Sequence, residues 1–78
     1  MIQEQIRSFI TSNFYVADPA TLTDSTSLLE SGVIDSTGVL EIIAFIEETF
    51  RVTVEDSEIL PENLDSISRI AAYISRKT

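Results

Sequence analysis

The sequence predicts an all-α fold: a small four-helix bundle of three main helices and one short helix, with a long loop between the first two main helices. Three observations carry this. Apolar residues recur at helical spacing in three separate stretches. No two stretches alternate apolar and polar residues for long enough to pair as strands. The chain has 78 residues, 44% of them hydrophobic, which suits one core and a single domain over residues 1–78.

The first helix is expected over residues 2–14, where Ile2, Ile6, Phe9 and Ile10 share one face. Asp18-Pro19 breaks the chain after it. Residues 15–35 then form the long connection, rich in Ser, Thr and Asp. Within it Ser27-Leu28-Leu29-Glu30 fits a capping box and predicts one helical turn. Leu28, Leu29, Val33 and Ile34 are expected to pin the loop to the core, and Gly32 to take a tight or left-handed conformation.

Residues 36–50 carry the strongest helical pattern, through Val39, Ile42, Ile43, Ile46 and Phe50. Asp35 is placed as the N-cap, Ser36 in the first turn and Arg51 at the C-terminal end, where the helix dipole favours a cation. Val52-Thr53-Val54 reads as extended. Residues 55–60 predict the short helix, stopped by Pro61. The last helix is expected to start near Asp65-Ser66, with Leu64, Ile67, Ile70, Ala71 and Ile74 facing inward and Arg69, Arg76 and Lys77 towards its end.

Composition excludes several function classes. There is no histidine and no cysteine, hence no Ser-His-Asp triad, no cysteine nucleophile, no Cys/His zinc site and no disulfide. No carboxylate run has the spacing of an EF-hand loop, and no metal site is expected beyond loose divalent association. With 13 acidic and 5 basic residues the formal charge is −8. That charge repels nucleic acid and anionic membranes and attracts proteins with basic patches. The polar start of the chain is unlike a signal peptide, and no apolar run approaches a membrane span. The expectation is a monomeric cytoplasmic protein.

Chemistry would therefore have to be brought to this chain. Four Asp-Ser pairs stand out, at residues 24–25, 35–36, 56–57 and 65–66. Such pairs usually cap helices or make turns. Asp35-Ser36 alone follows a Gly-containing apolar loop, Gly32-Val33-Ile34, and opens the most apolar helix. At about 100° per residue, Val39, Ile42, Ile46 and Phe50 form the inner side of that helix. Ser36, Leu40, Ile43 and Glu47 form a separate stripe, with Glu41 and Glu48 on the other flank. Glu47 and Glu48 stand at the negative end of the dipole, where stability would favour lysine.

Gly32-Val33-Ile34-Asp35-Ser36, followed by residues 39–50 (VLEIIAFIEETF), resembles the acyl carrier and peptidyl carrier protein family over essentially the whole chain. The resemblance implies that Ser36, beside Asp35, carries 4′-phosphopantetheine through a phosphodiester, and that the arm's thiol holds an acyl or aminoacyl group. It implies a carrier and not an enzyme. The family's usual Asp-Ser-Leu is here Asp35-Ser36-Thr37, followed by Gly38, and Asp65-Ser66-Ile67 is closer as a tripeptide. Gly38 should weaken the helix by about 1 kcal/mol relative to Ala.

The expected partners are a phosphopantetheinyl transferase, an acyl- or aminoacyl-loading enzyme, and condensing or tailoring enzymes with basic docking patches. Val33, Ile34, Leu40, Glu41, Glu47 and Glu48 are the residues expected to meet them. Acyl cargo for fatty-acid, polyketide or related biosynthesis is the leading expectation. An aminoacyl or peptidyl carrier loaded by an adenylating enzyme is the alternative. An acidic adaptor or inhibitor is a distant one that explains the charge but not the Gly-loop, serine and outward apolar stripe together.

Overall fold

The computed structural model describes residues 2–16 and 18–78; Met1 and Ala17, the latter inside the expected loop, lie outside the described residues. Among the described residues four helices follow one another: α1 (Ile2–Asn13), α2 (Ser36–Phe50), α3 (Pro61–Leu64) and α4 (Ile67–Lys77). Short 3-10 turns occupy Pro19–Thr21 and Asp56–Glu58. No strand forms among the described residues.

α4 lies at the centre. Its Ile67, Ile70, Tyr73 and Ile74 are at most 1% exposed, and they meet Ile6 and Ile10 of α1 and Ile42 and Ile46 of α2 in one cluster. Each such aliphatic side chain contributes about 1.5–3 kcal/mol by leaving water. On the α1–α2 side the core is closed by aromatics, with Phe9 stacked on Phe45 at a centroid distance of 4.2 Å.

The helix ends follow the chemistry of the sequence. Asp18 accepts the Ala20 N–H at 3.1 Å as the chain turns at Pro19. Asp35 caps α2, its carboxylate accepting the Gly38 N–H at 2.9 Å. Ser66 caps α4 by accepting the Arg69 N–H at 3.1 Å. Arg51 ends α2 in a left-handed conformation, φ 58°, its N–H on the Glu47 carbonyl. Val52 and Val54 turn inward and Thr53 outward, as an extended segment requires.

Two expectations are corrected and a third is met in part. The short helix does not span residues 55–60. Those residues hold only a 3-10 turn, and Pro61 opens α3 instead of stopping a helix. Proline suits the first helical position because its missing N–H would have no partner there. The capping box at Ser27 is half made: Ser27 Oγ accepts the Glu30 N–H at 3.1 Å without a return bond from the Glu30 side chain, and the expected single helical turn is present, closed by the Ser31 N–H on the Ser27 carbonyl at 3.0 Å. The inner side of α2 is also wider than its projection: Ile43, expected on the separate stripe, is half-buried and packs against the core just as Val39 and Phe50 do.

The long loop is stitched down along its length. Arg7 donates to the Leu22 carbonyl and, at 2.7 Å, to the Asp24 carboxylate. The Asp24 carbonyl accepts the Ser68 N–H at 2.8 Å. Asp65 then binds the next stretch: its carbonyl accepts the Leu28 N–H, and its carboxylate accepts the Ser27 hydroxyl and the Leu29 N–H. Gly32 has φ 77°, a conformation that favours glycine, as the chain turns back towards α2.

Candidate functional site

Ser36 is the first residue of α2, directly after the Asp35 cap, and is exposed. Its hydroxyl makes no hydrogen bond among the described residues, and no base stands beside it. The Asp35 carboxylate is turned onto the Gly38 N–H and serves the helix end. Serine is a weak nucleophile without a neighbouring base, so the chain does not activate this hydroxyl itself.

The other Asp-Ser pairs have different surroundings. Ser66 is 3% exposed, and its hydroxyl is committed to the Arg69 N–H and to Ser68. Asp65 holds the loop, as described. Ser25 and Ser57 are exposed in turns and line no apolar groove.

Ser36 opens onto a groove of about 290 Å³ between α2, α3 and the loop. Its apolar lining comes from Leu29, Val39, Leu40, Ile59, Leu60 and Leu64. Leu40 is 63% exposed, and Leu29, Ile59 and Leu60 about 36–41%. Among the described residues the large exposed hydrophobics, Tyr15 excepted, therefore gather at one place, beside one serine. Clustered exposed apolar surface marks a binding site, whereas scattered leucines need no explanation.

The structure places the expected partner-facing residues unevenly. Leu40, Glu41 and Glu48 are exposed on α2, and Val33 is half-buried. Ile34 is 5% exposed and belongs to the core. Its side chain fits against Gly38, where an added Cβ would lie 3.0 Å from the Ile34 Cβ and 3.0 Å from the Phe14 ring. Gly38 is thus a place of close packing, which the sequence showed only as a weak point in the helix. Glu47 is half-buried, and its carboxylate accepts the Val54 N–H at 3.0 Å. Both residues serve the fold at positions expected to meet partners.

Leu29, Ile59 and Leu60 escaped the sequence reading of the site. Leu29 was expected in the core with Leu28; Leu28 is buried and Leu29 faces the groove. The apolar pair Ile59-Leu60, standing just before a proline with no helical stripe around it, was the available signal.

Comparison with known proteins settles the class. The phosphopantetheine attachment site family matches residues 4–74, nearly the whole chain. The chain belongs to that family of carrier proteins. Its similarity to curated relatives runs end to end. It is 30% identical over 78 residues to an acyl carrier protein of Aster yellows witches'-broom phytoplasma (strain AYWB), covering all of this chain and 99% of that one. It is 28% identical over 78 residues to the acyl carrier protein of Onion yellows phytoplasma (strain OY-M), with the same coverage. A probable acyl carrier protein PigG of Serratia sp. (strain ATCC 39006) is 22% identical over 76 residues, 97% of this chain and 87% of that one.

Carriers of this family hold a covalently attached 4′-phosphopantetheine and present cargo to other enzymes; they are not catalysts. They work with modifying transferases and with biosynthetic enzymes. No helix of the described residues is long and apolar enough to cross a membrane. No group of three potential ligand residues that could hold a metal ion occurs among them.

Proposed function

We propose that this carrier is a freestanding acyl carrier protein whose Ser36 bears the 4′-phosphopantetheine, and that its cargo is apolar. The single observation that carries this reading is the groove: the one exposed serine at the head of α2 stands at the edge of the protein's apolar surface cluster. The phytoplasma relatives, named acyl carrier proteins, support the acyl reading.

The residues at the head of α2 suit the group. Ser36 supplies a hydroxyl that is exposed and unengaged. The start of a 15-residue helix favours a phosphate nearby through its dipole, while the Asp35 charge opposes it, so the phosphate is best held at the surface. When attached, the group supplies a thiol that holds an acyl chain as a thioester. The base that takes the Ser36 proton must come from the transferase.

The groove favours one cargo class over the other. An alkyl chain gains by leaving water against Leu29, Leu40, Ile59 and Leu60. A polar aminoacyl group would lose hydrogen bonds to water there and find few in return. Fatty-acid, polyketide or related specialised biosynthesis is the setting that fits. Leu40, Val33, Glu41 and Glu48 form the face for the transferase, the loading enzyme and condensing or tailoring enzymes, whose basic patches would meet the glutamates.

The test is to load the holo protein with an octanoyl or a seryl group and compare methyl and amide chemical shifts. Octanoyl should perturb Leu29, Leu40, Ile59 and Leu60, and seryl should leave them at their holo positions. Equal perturbation by both would remove the preference for acyl cargo.

A further inference from the structure

The groove has one wall whose own side chains are not in the core. Ile59 and Leu60 lie between the 3-10 turn at Asp56–Glu58 and the first residue of α3, and both side chains are exposed at the groove. What precedes them is held firmly. One oxygen of the Glu58 carboxylate, Oε1, accepts the Glu55 N–H at 3.0 Å, the Tyr73 hydroxyl at 3.0 Å and the Lys77 ammonium at 2.9 Å. The Glu58 carbonyl accepts the Asn63 side-chain amide at 2.9 Å, and Arg76 in turn donates to Asn63 at 2.8 Å.

Two of the carboxylate's donors come from α4, the element that carries the core. Tyr73 is 1% exposed, and Glu58 is the hydrogen-bond acceptor of its hydroxyl. Lys77 is the sole lysine of the chain and is spent on the same carboxylate. A buried phenol and a lysine thus converge on the residue immediately before the apolar pair. Exposed surface ion pairs alone contribute little, but a hub fed by three donors fixes its backbone in one geometry.

We infer that Glu58 is a positioning residue for the cargo groove: anchored to Tyr73 and Lys77 on α4, it holds the Ile59–Leu60 wall in the place where an acyl chain carried from Ser36 would lie. The inference rests on the acyl-carrier reading of Ser36 and its groove. Without the anchor, the pair would be held from the α3 side alone, where the Leu60 carbonyl accepts the Asn63 and Leu64 N–H groups; its side chains would close into the groove or leave it, and the cargo would meet water. Low local stability is characteristic of segments with few buried apolar contacts, which describes this one.

The experiment uses octanoyl-loaded full-length protein and reads two things: the octanoyl-minus-holo shift changes at Ile59 and Leu60, and the rate of thioester hydrolysis. Wild type, Glu58→Ala, Glu58→Gln and Lys77→Met are compared, with Arg7→Ala as a variant weakened away from the groove. Glu58→Ala should lose most of the cargo-induced shifts and hydrolyse severalfold faster. Glu58→Gln, which keeps an acceptor for Tyr73 and Glu55, should restore most of both. Lys77→Met should fall between them, and serves as the decisive variant if Glu58→Ala does not fold. Arg7→Ala should behave as wild type at both readouts. Wild-type shifts and hydrolysis in a folded Glu58→Ala or Lys77→Met protein would overturn the positioning role, as would an equal loss in Arg7→Ala. An octanoylated wild type with no shift changes at the groove would instead overturn the acyl reading on which the role rests.

Discussion

The Glu47 carboxylate accepts the Val54 N–H at 3.0 Å, seven residues further along the chain. This contact explains a carboxylate at the negative end of the α2 dipole. Glu47 fastens the extended segment after the helix, so that Val54 enters the core at 8% exposure. Losing the acceptor leaves a half-buried N–H without its partner. Glu47→Ala should lower stability by about 1 kcal/mol, and Glu47→Gln, which retains an acceptor, should recover most of it. Urea unfolding of the three proteins measures this.

Leu40 and Glu48 test the docking face without that complication. Leu40 is 63% exposed, so Leu40→Ala should change stability by less than about 0.5 kcal/mol. Its rate of modification by a phosphopantetheinyl transferase at limiting substrate should fall about tenfold, as for the loss of one well-placed apolar anchor. Glu48→Lys should slow the same reaction at low salt and less so at high salt, because exposed charges are screened. Unchanged rates in both variants would place the partner face elsewhere.

Gly38 should not tolerate the residue that helix propensity favours. Alanine would gain about 1 kcal/mol of intrinsic propensity. Its Cβ would meet the Ile34 Cβ at 3.0 Å, close to the backbone and unable to swing aside. Overpacking of this kind costs about 1–3 kcal/mol. Gly38→Ala should therefore be less stable than wild type by about 1 kcal/mol, read as a lower urea midpoint with an unchanged slope.

The Glu58 hub predicts a pH signature at each end. The Lys77 ammonium first, then the Glu55 N–H and the Tyr73 hydroxyl, hold the Glu58 carboxyl down at about 2, from an ordinary 4.5. A carboxylate with a lowered folded-state pKa stabilises fully above its unfolded value and loses that contribution as pH falls. The stability difference between wild type and Glu58→Gln should thus be constant above about pH 4.5 and vanish towards about pH 2. Burial first, with the Glu58 carboxylate adding to it, raises the Tyr73 phenol from 10 to about 12. Its contribution, read against Tyr73→Phe, should be full below about pH 10 and disappear as pH rises through 12. Flat differences across either window would remove the hub.

What the sequence made legible was local. The limits of α2, the Asp35 cap and the left-handed Gly32 follow from neighbouring residues and were read correctly. Ser36 could be preferred over Ser66 from its loop and helix, and burial gives the physical reason, since Ser66 is spent as the cap of α4. What was not legible depends on partners distant in the chain. Glu47 projects outward on a helical wheel until Val54 returns to meet it. Pro61 can stop one helix or start another, and the packing of Leu64 in the core selects the second. The groove joins Leu29, Leu40 and Leu60 from three separated segments, and no window of sequence contains all three.

The central claim is that Ser36 is the attachment point. The direct measurement is the intact mass before and after incubation with coenzyme A and a promiscuous phosphopantetheinyl transferase, for wild type, Ser36→Ala and Ser66→Ala. The account predicts a single phosphopantetheinyl gain in wild type and in Ser66→Ala, and none in Ser36→Ala. A gain that persists in Ser36→Ala would contradict it.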